Sequence, residues 1–137
     1  MMSNLDMLKK QHGEVLTMIK NIDTLIITGP EEKANEIAYN INALSGKLKM
    51  HLMSEDQFLY PALMQSKNQA VRNTSQNFND EMGNLAGLFS SFVQQYNTPF
   101  KILQRKDYFT ADSGKIFSQI EERIHREDVK LYPLVED

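Results

Sequence analysis

The chain has no cysteine. Disulfides, thiolate metal sites and thiol nucleophiles are therefore excluded, and any metal must be held by nitrogen and oxygen ligands. Proline and glycine are sparse, four and six among 137 residues, and fall mostly between or at the ends of periodic segments. Positive charge is not in excess either: 15 Lys and Arg stand against 18 Asp and Glu, a formal net charge of -3 with no basic block. A nucleic-acid partner is disfavoured, because phosphate binding needs a concentrated Lys/Arg footprint. No apolar run approaches the roughly 20 residues of a membrane span, and the opening MMSNLDMLKKQ lacks the apolar core of a signal peptide, so a soluble cytoplasmic protein is expected. β-branched alternation is scarce, which predicts an all-helical chain, and 137 residues suit one domain spanning 1–137.

Helical periodicity is what the sequence does contain. Ser3 or Asn4 is placed to cap a first helix whose seam reads Leu5, Leu8, His12, Val15, Ile19, Ile22 and Ile26, in 3-4 alternation with one polar member. Gly29-Pro30 ends it and starts the next, with Glu31 and Glu32 favourable at the new amino terminus. The second seam is Ala34, Ile37, Ile41, Leu44, Leu48, His51, Glu55, Phe58 and Ala62, with a kink expected at Pro61 and helix continuing to Met64. Gln65 to Gln69 reads as a loop. A third helix then carries Val71, Ser75, Phe78, Met82, Leu85, Phe89, Phe92 and Tyr96. After a connection from Phe100 to about Lys106, Asp107 is expected to cap a last helix with the stripe Phe109, Ile116, Phe117, Ile120, Ile124, Leu131 and Leu134. Four long helices with short connections predict an all-α, up-down-up-down four-helix bundle.

The stretch HLMSEDQFLYP, beginning at His51, recurs 72 residues later as RIHREDVKLYP. Arg123 falls under His51, Glu127 under Glu55, and Leu131-Tyr132-Pro133 under Leu59-Tyr60-Pro61. His12-Gly13 similarly aligns with Met82-Gly83, 70 residues on, so the chain reads as a duplicated helix pair. One copy carries His12, His51 and Glu55 where the other carries Met82, Arg123 and Glu127.

Burying a charge among Leu and Ile costs several kcal/mol unless something neutralises it. Glu55 and Glu127, expected at one depth, therefore call for a cation between them: Arg123, a metal ion that also takes His12 and His51, or both. Each residue alone has a plainer reading. His12 could be a hydrogen-bonded core histidine, and His51 with Glu55 a simple helical pair contributing about 0.2 to 0.5 kcal/mol. Four such groups in one layer are a stronger signal than any one of them. Two imidazoles and two carboxylates suit iron, manganese or zinc, and bundle cores hold ions through inward-pointing side chains of this kind. Met82 and the other methionines read as flexible core filler. His125 is expected at the surface; Glu121, Glu122, Arg126 and Asp128 form a solvated face, and Tyr60 and Tyr132 should close the bundle end with their hydroxyls in water.

With His12, the His51-Leu-Met-Ser-Glu55 motif and its trailing LYP, and REDVKLYP near the carboxyl end, the chain resembles the hemerythrin-like, HHE cation-binding domains along essentially its whole length. The resemblance implies a four-helix bundle with a non-haem di-iron centre that binds oxygen or senses oxygen, iron or redox state. It also implies that one iron is served by residues matching His12 and His51, and that the carboxylates matching Glu55 and Glu127 bridge the irons. Histidines would serve the other iron where this chain has Met82 and Arg123. Arg123 puts a fixed positive charge about where that iron would lie, with a guanidinium fork suited to the carboxylates. The expectation is one divalent ion, iron before zinc or manganese, on His12, His51, Glu55 and Glu127, with Arg123 and Met82 beside it, and dioxygen as a candidate partner. The alternative is a metal-free interaction or scaffold bundle in which Arg123 alone neutralises Glu55 and Glu127. No substrate is indicated, and the chain is not expected to be an enzyme.

Overall fold

The computed structural model describes residues 4–135, and among them the chain is helical with no strand. Helix α1 (Asn4–Thr28) begins at the first described residue, so the cap expected at Ser3 lies outside the described residues and Asn4 is already helical. All of the expected α1 seam is buried except Leu5, which is partly covered. Gly29, at φ 143°, separates α1 from α2 (Pro30–Ser54) by a single residue, a backbone angle that side chains beyond glycine rarely adopt. Pro30 then opens α2, where its missing N–H costs no hydrogen bond.

The second helix does not stay α-helical to Tyr60. Glu55–Leu59 forms a π turn, closed by a Tyr60 N–H bond to the Glu55 carbonyl, before α3 (Tyr60–Met64) resumes. Pro61 gives the physical reason: it lacks a donor and its ring crowds the carbonyl four residues earlier, which a widened turn relieves. The extra residue advances the helical phase. Phe58, expected on the seam, is therefore exposed, as is Ala62, and Leu59 and Leu63 are buried in their place.

Asn68 caps α4 (Gln69–Met82), accepting from the Ala70 N–H at 2.9 Å. The third helix, expected to be continuous, breaks at Gly83-Asn84 before α5 (Leu85–Tyr96). At the break the Gly83 N–H donates to the Asn79 carbonyl at 2.7 Å, and a Cβ on Gly83 would lie 2.5 Å from that oxygen. The expected connection after Tyr96 is itself partly helical. Thr98 caps α6 (Pro99–Gln104) by accepting from the Lys101 N–H at 3.2 Å, and Ile102 anchors α6 in the core. Asp107 sits within the first turn of α7 (Lys106–Arg126) rather than capping it. A second π turn, Glu127–Leu131, follows, and then a short 3-10 turn, Tyr132–Leu134, again with proline second.

Helix α1 packs against α2 and α7, and α5 against the same two. Their inward faces build one large apolar cluster running from Val15, Ile41 and Leu48 to Phe92, Phe117 and Ile124. A smaller cluster of Leu8, Leu59, Leu63, Phe78, Leu131 and Tyr132 lies toward the other end. The polar residues His12, His51, Glu55, Arg123 and Glu127 fall in sequence between members of the two clusters on every helix that carries them, and all are buried. They form a polar layer between two oily ones.

Candidate metal centre

Each side chain of this layer is positioned by a regular helix that has just run through apolar core, or by a π turn that begins with it. Glu55 and Glu127 are the first residues of the two π turns, 0% and 1% exposed. Single-turn π segments are uncommon inside α-helices and are frequent at functional sites.

The two histidines face inward through Nε2. His51 Nδ1 lies 2.8 Å from Gln11 Oε1, an acceptor that keeps the ring proton on Nδ1. His51 Nε2 is left with a lone pair and no hydrogen-bond partner, 3.4 Å from Glu55 Oε1 and 3.9 Å from Glu127 Oε1. His12 Nδ1 lies 2.8 Å from Asp128 Oδ1, and its Nε2 is 3.0 Å from Glu127 Oε1. Outer hydrogen bonds of this type orient imidazoles for metal binding. One donor atom from each of His12, His51, Glu55 and Glu127 falls within a group spanning no more than 4.8 Å. An orphaned imidazole nitrogen, two carboxylates and a second histidine steered from behind are what a small hard-to-borderline cation requires, so the residues fit the group.

Arg123 is in the layer too. Its Nη2 is 3.4 Å from Glu55 Oε1 and its Nε 3.5 Å from Glu127 Oε2, so the guanidinium spans both carboxylates. Its Nη1 donates to the Met82 carbonyl at 3.1 Å. Met82 ends α4, where a carbonyl lacks its helical partner. Met82 therefore meets Arg123 through its backbone; its half-buried side chain packs with the smaller apolar cluster, as filler would.

These neighbours settle the charge. Burial and the neighbouring Glu127 push the Glu55 carboxyl well above its ordinary range, so Glu55 carries a proton. Burial works the same way on Glu127, but the facing Glu55 and His12 and the charge of Arg123 outweigh it and hold Glu127 ionised. Burial also opposes the charge on Arg123, which Glu127 and Glu55 more than restore. His51 is pushed down, chiefly by burial, and stays neutral. One carboxylate, one guanidinium and one carboxylic acid leave these three side chains with no net charge.

Three participants are not among the residues expected in the site. Gln11 is a buried polar neighbour on α1 that the seam pattern passes over. Asp128, assigned to the solvated face, is 43% exposed at its side chain and still holds His12. Tyr132, expected to place its hydroxyl in water, is buried, with that hydroxyl 2.9 Å from His12 Nε2 and donating to Glu55 Oε2 at 3.0 Å. Tyr60, its partner in the repeated LYP, also departs from expectation: its hydroxyl is buried and unpartnered. His125 is exposed, as its helical phase indicates, and so is Glu122.

No helix among the described residues is long and apolar enough to cross a membrane. The family model described as hemerythrin HHE cation binding domain matches residues 3–135. No curated protein and no solved structure matches the chain.

Proposed function

The chain belongs to the hemerythrin HHE cation-binding family, and we propose that it is a single-domain, up-down-up-down four-helix bundle that binds one metal ion in place of the family's pair. The observation that carries this reading is the asymmetry of the polar layer. On one side, two Nε2 atoms steered by Gln11 and Asp128 meet the carboxylates. On the other, the Arg123 guanidinium lies against Glu127 Oε2, shares Glu55 Oε1 with His51 and donates to the Met82 carbonyl. His12, His51, Glu55 and Glu127 are the ligands, and iron is the ion most in keeping with the family, with zinc or manganese also suited to the donor set. When bound, such an ion supplies a Lewis-acidic and, for iron, redox-active centre. The protein's part is to hold the ion in a dry layer, to keep His51 neutral and to set the facing carboxylates. Binding and sensing fit a layer whose four ligands are this deeply buried better than catalysis does.

A metal-free scaffold is the second reading, favoured by one observation: the Arg123 guanidinium already lies against both carboxylates, where it supplies positive charge without an ion. Metal analysis of protein purified without chelator separates the two. About one metal per chain, lost in His51→Ala, is expected; two irons with an oxo-bridge absorption would overturn the mononuclear reading. No metal in any preparation, with melting unchanged by chelator, would leave the scaffold.

A further inference from the structure

One buried group in the polar layer has no role in the proposed four-ligand set. Tyr132 is 2% exposed, and its hydroxyl reaches the inward nitrogen of His12 and an oxygen of Glu55 at 2.9 and 3.0 Å. Its ring stands nearly parallel to that of His12, at an interplanar angle of 7° and 4.9 Å between centroids. The second π turn brings it there: without the extra residue of Glu127–Leu131, Tyr132 would sit about 100° further round the helix. Its sequence counterpart Tyr60 reaches neither histidine, and its hydroxyl has no partner.

We propose that Tyr132 is a fifth ligand, a phenolate oxygen that makes the site selective for ferric ion over zinc. This rests on the reading of the layer as a metal centre. Charge favours it. With two neutral imidazoles, two carboxylates and the Arg123 guanidinium, a divalent ion leaves the layer one positive charge in excess. A trivalent ion leaves two unless another ligand becomes anionic, and excess charge in a buried layer is costly. Loss of the Tyr132 proton returns the excess to one. The step is an exchange: an iron–oxygen bond forms, the phenolic proton leaves to solvent, and iron enters and remains ferric, so no oxidant is needed. Ligand deprotonation on metal binding is general, and a phenol yields its proton most readily to a highly charged ion.

The test loads metal-free protein with ferric ion delivered as its nitrilotriacetate complex and, separately, with zinc. Expected for the unaltered chain are a visible tyrosinate-to-iron charge-transfer band and tyrosinate ring modes in the resonance Raman spectrum. Tyr132→Phe should lose both and weaken ferric binding by at least about tenfold more than it weakens zinc binding. Zinc uptake by Tyr132→Phe also reports that the variant is folded. Ferric ion bound without a tyrosinate signature, or a signature that survives Tyr132→Phe and disappears in Tyr60→Phe, overturns the assignment and leaves the metal centre standing. Failure of the unaltered chain to take up either ion would remove the metal centre itself.

Discussion

Replacing Arg123 with methionine in metal-free protein removes the guanidinium while keeping much of its volume. Three contacts go at once: to Glu55 at 3.4 Å, to Glu127 at 3.5 Å and to the Met82 carbonyl at 3.1 Å. Glu127, 1% exposed and ionised, keeps its histidine contacts but loses the guanidinium beside it. Truncating one member of a buried charged network costs about 3–5 kcal/mol. For a chain of 137 residues that corresponds to a fall in Tm of about 10–17 °C. The cost should belong to the pair and not to arginine packing. In a Glu127→Gln background Arg123 is itself the stranded charge, so Arg123→Met should be close to neutral there, a coupling of at least about 2 kcal/mol. Urea melts of the four proteins at pH 7 in chelator measure it. An Arg123→Met cost below about 1 kcal/mol that adds simply to that of Glu127→Gln would refute the account of the layer as an ion network. Zinc added to Arg123→Met should then raise its Tm by more than it raises that of the unaltered chain, because the ion supplies the missing charge.

Stability of the metal-free protein should fall above pH 6.5. Glu55, with its folded pKa raised well above 4.5, keeps a proton the unfolded chain has lost, so its contribution declines as pH rises from 4.5 until that folded pKa is passed. His51, depressed below 6.5, acts in the opposite sense up to 6.5 and offsets Glu55 over that interval, leaving a slope of up to about 1.4 kcal/mol per pH unit beyond it. Denaturant melts across pH 5 to 8.5 should show this decline, and Glu55→Gln should flatten it; a decline unaffected by that change would locate its origin elsewhere. Asp128→Ala should weaken metal binding about 10–100-fold by freeing the His12 ring, which isothermal titration with zinc would detect; unchanged affinity would deny Asp128 its orienting role. Met82→His combined with Arg123→His should raise the metal content from one toward two per chain, read by elemental analysis, whereas a ratio still at one would show that these two positions do not complete a second site.

Much of the fold was legible because the 3-4 alternation of apolar residues holds over long stretches. The α1 seam from Leu8 to Ile26 and the α2 seam from Ala34 to Glu55 are buried as the periodicity predicts. So are Ser75, Phe78, Leu85, Phe89, Phe92 and Tyr96, although the helix carrying them breaks in the middle. That break passed unnoticed because Gly83-Asn84 turns without losing register. The short helix α6 was missed although Thr98-Pro99 is a sound start signal, since six residues from Pro99 to Gln104 show too little periodicity to be recognised.

The site was legible up to the residue where each π turn begins. His12, His51, Glu55, Arg123 and Glu127 all precede or open those turns, and a constant 3.6-residue period places them correctly. Beyond Glu55 and Glu127 the period changes, so Phe58 was expected inside and Tyr132 at the wet end. The signal that would have corrected both is in the sequence: a proline six residues after each buried glutamate, at Pro61 and Pro133.

The two π turns also explain why this layer can differ so much between its halves while its frame stays the same. Each begins with a glutamate, ends on a leucine two residues before a proline, and turns the tyrosine after it inward relative to an unbroken α-helix. Leu59 and Leu131 then seal the far side of the layer. The carboxylates are thus fixed by backbone geometry that does not depend on what lies between them, and the partners on α1, α2 and α7 are free to be histidines on one side and arginine on the other. A divalent ion entering beside His12 and His51 would exchange chiefly against the proton on Glu55, a modest change in layer charge. A second ion would have to displace or face the Arg123 guanidinium, held at three points in a region nearly closed to water. On the mononuclear reading, the same arginine that balances the metal-free layer is what would keep a second ion out.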